Sequence, residues 1–188
     1  MISKLLLGVT GQRNSRTRAI VHALNEQLNL IHINMRQPFI DVLAVVTGNT
    51  PQVAATLDRE AIIPALKCKA HVFEREYSSA LFCLNKDYFT EIAAEKITRS
   101  TAGFTDITKN IFDGFIVSGI STTHEAKFIR DRGGVMLHLQ DGPGFTDFHP
   151  LETRLYDVIF DVKKFDPQNK ESIDFLIAHV KESHKRAA

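Results

Sequence analysis

KLLLGVTGQRNSRTRAIVHALNEQLNLIHI, residues 4–33, changes its apolar period twice within thirty positions. Lys4–Val9 is a short apolar run closed by glycine, and from Arg16 the apolar residues Ile20, Ala23, Leu24 and Leu28 recur at helical spacing. Leu30–Ile33 returns to a strand-like run. The stretch therefore predicts strand, glycine turn, helix, strand.

Downstream the alternation continues. Pro38 suits the first turn of a helix over Phe39–Thr47, which Gly48 ends. Between 49 and 103 helical signals dominate, with starts at Thr50-Pro51 and at Asp87, and this segment is expected to form a helical flap. Phe115–Ser118 is a continuous apolar run suited to a strand covered on both faces. A short helix over Glu125–Arg132 leads through Gly133-Gly134 into a strand at Val135–Leu139. Residues 140–150 hold glycine and proline breakers and read as an irregular loop, and Tyr156–Val162 gives the last strand. Asp166-Pro167 opens a terminal helix with the stripe Ile173, Leu176, Ile177 and Val180, followed by a polar tail over 181–188. Strands separated by helices imply an α/β domain, 1–188, with a mainly parallel sheet and helices on both faces.

Composition narrows the function. The 23 Lys and Arg nearly cancel the 22 Asp and Glu, so no uniform field draws the chain to nucleic acid or an anionic membrane, and any anion site must be local. Cys68 and Cys83, the two cysteines, lack metal-ligand or redox spacing, which points to a reducing compartment. Leu5-Leu6-Leu7 is too short and wrongly flanked for a signal peptide, and no stretch approaches the roughly 20 apolar residues of a membrane span. A soluble cytoplasmic protein is expected.

The turn after the first strand is where such sheets bind phosphate, because backbone N–H groups and a helix N-terminus point at the anion. Here it reads Gly8-Val9-Thr10-Gly11-Gln12-Arg13-Asn14-Ser15. A working phosphate loop continues with glycine, lysine and Ser/Thr. Four residues beyond Gly11 those places hold Arg16, Thr17 and Arg18; a frame slid by one residue reads Ser15-Arg16-Thr17. Gly8, Gly11, Arg13, Ser15, Arg16, Thr17 and Arg18 are thus the candidate ligand-holding residues, with the guanidinium groups of Arg13, Arg16 and Arg18 suited to phosphate. The same turn equally serves simply to join strand to helix.

In element order the chain resembles the deoxynucleoside monophosphate kinases of bacteriophages and bacteria. Leu7-Gly8-Val9-Thr10-Gly11 looks like that family's opening strand and turn. Ile33-Asn34-Met35-Arg36-Gln37-Pro38-Phe39 is similar to its Phe-Ala-x-Pro-Leu segment. Phe115 to Leu139, with Glu125-Ala126, Phe128-Ile129 and Gly133-Gly134-Val135, is the most specific stretch, and His149-Pro150-Leu151-Glu152 resembles its His-x-Ser-Glu. The resemblance implies a three-layer α/β/α P-loop nucleotide-kinase-like fold, with ATP and Mg²⁺ as cofactors of any active form and Arg75 as a substrate contact; His149 and Glu152, on the nucleotide side after the loop, are candidate contacts to base or sugar but read more readily as caps of a turn. Arg75 is singled out because Arg75-x-x-Ser-x-Ala-Leu81 is similar to the family's Arg-x-x-Leu-Gln.

The departures fall at the chemistry. Where the family carries Thr-Asp-Val-Arg, this chain has Ser118-Gly119-Ile120-Ser121, and the asparagine before the retained glutamate is His124. Thr17 stands in the lysine place. Phosphoryl transfer depends on positioning and charge stabilisation, and each lost stabiliser costs about a hundred- to a thousandfold. The expectation is a diverged protein of the kinase fold that binds nucleotide or phosphate with weak or no transfer; the alternative is a non-enzymatic structural or interaction protein, related to phage, that keeps the kinase fold. His124 and Glu125 read better as helix caps than as a metal pair. His32 and His138 fall inside strand patterns and read as core histidines, Lys67, Lys69, Arg75 and Arg99 as a solvated face, and Phe73, Tyr77, Phe82, Tyr88 and Phe89 as core aromatics. No serine–histidine–acid order emerges along the chain, so no hydrolase is expected. Oligomeric state is not legible.

Overall fold

A computed structural model describes residues 4–11, 14–102, 111–141, 155–166 and 169–187. Its elements follow the expected alternation. β1 (Leu5–Gly11) leads to α1 (Ser15–Gln27) and β2 (Leu30–Asn34), then α2 (Gln37–Thr47) and the short α3 (Pro51–Ala55). A hairpin of β3 (Ile62–Ile63) and β4 (Cys68–Lys69) precedes α4 (Ala70–Leu84) and α5 (Tyr88–Ala102). β5 (Gly114–Ser118), α6 (Thr123–Arg130), β6 (Val135–Gln140), β7 (Val158–Asp161), a 3-10 turn (Val162–Lys164) and α7 (Lys170–Ala187) complete the chain.

The chain divides into two compact units, one of Met1–Asn34 with Ala93–Ala188 and the other of Met35–Ile92. In the first, five strands form an all-parallel sheet in the order β2-β5-β1-β6-β7. This is an α/β fold consistent with the expected three-layer, nucleotide-kinase-like plan. Alternate residues of β1 face opposite layers, as strand geometry requires. Leu5, Leu7 and Val9 join a core with Ile20 and Leu24 of α1 and Leu176 and Val180 of α7. Gly8 faces the other way, where an added Cβ would lie 3.0 Å or less from Met136, Ile120 and Ile129 of the α6 side. The interior strand β5, between β2 and β1, is buried from Gly114 to Val117, in keeping with its unbroken apolar run. At the edge, β7 exposes Ile159.

α6 is short but well defined at both ends. Thr122 and Glu125 form a capping box, and Gly133 at φ 70° turns the chain into β6. α7 starts later than Asp166-Pro167 suggests: Asn169 Oδ1 accepts from the Glu171 N–H. The helix then runs on through the polar residues to Ala187. Pro167 lies outside the described residues, as does the expected loop from 142 to 150.

In the second unit, Phe39, Ile40, Leu43 and Ala44 of α2 pack with Ala54, Ile63 and Ala70. Phe73 and Tyr77 add ring contacts to Phe39 with centroids 5.6 and 6.0 Å away. Phe82, expected in this core, is exposed. The buried Arg36 lies over the Phe89 ring at 4.2 Å. The β3–β4 hairpin has no counterpart in the sequence reading, because each strand is two residues long and carries no period. Gly48 ends α2 at φ 67°, as its position predicts.

Candidate functional site

β1 sits inside the sheet and its neighbours β5 and β6 lie on opposite sides. The chain leaves β1 toward β2 on one side, while β6 and β7 build out the other. Ligands of open α/β sheets bind outside the carboxyl ends of the strands at such a reversal. The residues at these ends are Gly11, Asn34, Ser118, Gln140 and Asp161.

Asn14 organises the loop between β1 and α1. Its Oδ1 accepts from the Thr17 N–H at 2.8 Å, and its Nδ2 donates to Asp141 Oδ2 at 2.9 Å. The first satisfies one of the amides that a helix start leaves unbonded. The second fastens the loop to the end of β6 and brings a carboxylate to the positive end of the α1 dipole. Thr17, in the lysine place, is half-buried with its Oγ1 unbonded, whereas Ser15, Arg16 and Arg18 are exposed. Arg16 makes no ion pair among the described residues. Arg13 lies outside the described residues.

The two glycines of the turn have packing reasons of their own. A Cβ on Gly11, at φ +141°, would stand 2.3 Å from the Leu139 carbonyl oxygen, and one on Gly8 would stand 2.5 Å from Met136 Sδ. Gly11 is at the edge where a ligand would sit; Gly8 is three residues back, beneath α6.

No protein-family model matches the chain, and no curated protein does.

Just after the end of β5, Glu125 is buried and its Oε2 accepts from the Ser121 N–H at 2.8 Å and the Thr122 N–H at 3.1 Å. The carboxylate therefore serves as a cap, as the sequence suggests. Further along the edge, His32 Nε2 lies 2.8 Å from Ser118 Oγ. His32 is exposed at one face but crowded by surrounding chain, and this desolvation, with the nearby charge of Lys96, lowers its pKa. It is not a core histidine, because β2 is an edge strand. His138 is half-buried and stacks on Tyr156 with centroids 4.5 Å apart. Burial lowers the His138 pKa and raises that of Tyr156.

The remaining candidates are scattered. Arg75 is exposed on α4 and pairs with its neighbour Glu76 at 2.8 Å. Lys69 pairs with Glu60 at 2.8 Å, and Arg99 with Glu95 one helical turn away. His149 and Glu152 lie outside the described residues. Among the described residues no cluster of three His, Cys, Asp or Glu could hold a metal, and no helix is long and apolar enough to cross a membrane. Sequence reasoning missed Asp141 and the His32–Ser118 pair. Asp141 had no motif to mark it, and the pair is 86 residues apart in the chain.

Proposed function

We propose that this protein is a diverged relative of the deoxynucleoside monophosphate kinases that binds a nucleotide or phosphate at the amino end of α1 and transfers phosphate weakly or not at all. The observation that carries this reading is the placement of α1: it follows the interior strand β1 at the reversal point of a parallel sheet, with Ser15, Arg16 and Arg18 exposed on its first turn. Arg16 is not drawn inward to an acid, which leaves it available to an anion.

The same geometry argues against efficient transfer. Thr17 offers no cation, and its N–H is engaged by Asn14. Asp141 is held beside the loop by Asn14, where its charge opposes an incoming phosphate unless a cation intervenes. If ATP binds with magnesium, Asp141 and the Ser15 hydroxyl are the described groups that suit a hard cation, the rest of its shell being water and phosphate oxygen. Magnesium would supply charge neutralisation of the phosphates; Arg16 and Arg18 would orient them.

The second reading is a structural or interaction protein that keeps the fold without the ligand. The tight packing of Gly8 and Gly11 favours it, since both glycines are required by neighbouring strands whether or not phosphate binds.

Calorimetric titration of ATP, and of each deoxynucleoside monophosphate, with magnesium separates the two. Binding is expected at micromolar to millimolar ligand, weakened in Arg16→Ala, with no turnover in a coupled phosphoryl-transfer assay. Silence with every nucleotide and with inorganic phosphate makes the interaction protein the correct reading. Turnover abolished by Arg16→Ala would instead identify a working kinase.

A further inference from the structure

The carboxyl edge of the sheet carries a second polar constellation, on the β2–β5 side, which the nucleotide reading does not use. His32 lies on β2 and Ser118 is the last residue of β5, with Asn34 opposite Ser118 and His32 opposite Ile116 in the parallel register. The imidazole reaches along the strand to the hydroxyl, Nε2 to Oγ at 2.8 Å. Neither partner is buried. Directly after Ser118 the strand ends at Gly119, which adopts φ +81°. A serine at the end of a parallel strand, followed by a sharp turn, is how α/β hydrolases expose a nucleophile.

From this geometry we infer that Ser118 and His32 are a nucleophile–base pair that accepts acyl groups from activated esters. The chemistry needs a hydroxyl within hydrogen-bond reach of a neutral imidazole, and the crowding of His32 keeps it neutral near pH 7. Ser118 Oγ attacks the ester carbonyl carbon while Nε2 takes the hydroxyl proton. The tetrahedral adduct collapses, the bond to the leaving oxygen breaks, and that oxygen takes the proton from Nε2. Water then attacks the acyl-serine with the same imidazole accepting its proton, and carboxylate and free Ser118 result. Lys96, close enough for its charge to act on His32, favours the negative charge of the adduct and an anionic acyl group.

The rate has a ceiling. Disabling the acid that orients the histidine of a full triad costs about 10⁴ in kcat, and among the described residues no carboxylate is bonded to His32. The substrates are therefore esters with good leaving groups rather than amides.

The full chain is treated with a fluorophosphonate probe and the modified peptide is mapped by mass spectrometry, with p-nitrophenyl acetate release followed in parallel. A single adduct on Ser118 is expected, absent in Ser118→Ala and formed at least tenfold more slowly in His32→Ala, with melting temperatures confirming that both variants fold. Labelling at other residues only, or equally in wild type and Ser118→Ala, overturns the proposal. As an independent check, Ser118→Cys should be alkylated by iodoacetamide at position 118 at least tenfold faster than the same variant carrying His32→Ala; equal rates overturn it as well.

Discussion

At the scale of single residues, Gly11 shows how one side chain can satisfy two readings. Phosphate loops need glycine so that the backbone can approach an anion, yet here the neighbour that excludes a Cβ is the Leu139 carbonyl oxygen at 2.3 Å. Gly11→Ala should lower stability by roughly 2–4 kcal/mol, from overpacking and an unfavourable backbone conformation together. Gly48→Ala is the comparison: its φ is also positive, but a Cβ would meet nothing within 4 Å, so it should cost about 1–2 kcal/mol. Urea unfolding of the two variants measures the difference, and equal losses would show that packing at Leu139 relaxes freely. The sequence marked Gly11 as special, but the atom responsible belongs to a strand 128 positions further on and could not be read from the turn.

Elements were more legible than residues, because their signals are local. α6 was visible as a short helix ended by Gly133-Gly134, and the structure adds the capping box of Thr122 and Glu125 at its start. Thr122→Ala removes the bond to the Glu125 N–H and should cost about 1 kcal/mol. Glu125→Ala should cost more, since two further N–H groups, of Ser121 and Thr122, lose their acceptor. Thermal melts of both variants test that order. β3 and β4 stayed hidden because a two-residue strand has no period, and what joins them is the pairing of Ile63 with Cys68 across a turn at Lys67, φ 52°. The start of α7 moved because the side chain that takes up a first-turn amide is that of Asn169, bonded to the Glu171 N–H, while Asp166 accepts the Ser172 hydroxyl through its backbone carbonyl.

At the scale of the whole molecule, the two crowded imidazoles tie stability to pH. His32 and His138 both have folded pKa values below the ordinary value of about 6.5. The unfolded chain therefore binds more protons below neutrality, so these histidines contribute stability that is complete above about pH 6.5 and is lost as pH falls through their folded values. Urea midpoints should drop from pH 7.5 to pH 5, and the drop should shrink in His32→Gln and in His138→Gln. An unchanged slope in both would assign the acid sensitivity to carboxylates. By itself, the sequence determined the class of fold: period, glycine and proline placement act over ten or twenty residues, so strands, helices and their alternation are written locally. The tertiary structure alone decided the order β2-β5-β1-β6-β7, the binding of Asn14 to Asp141, and the meeting of His32 with Ser118. Each joins residues 86 or more positions apart or strands that are not consecutive, and such pairings are fixed by how the sheet buries its two faces rather than by any pattern along the chain.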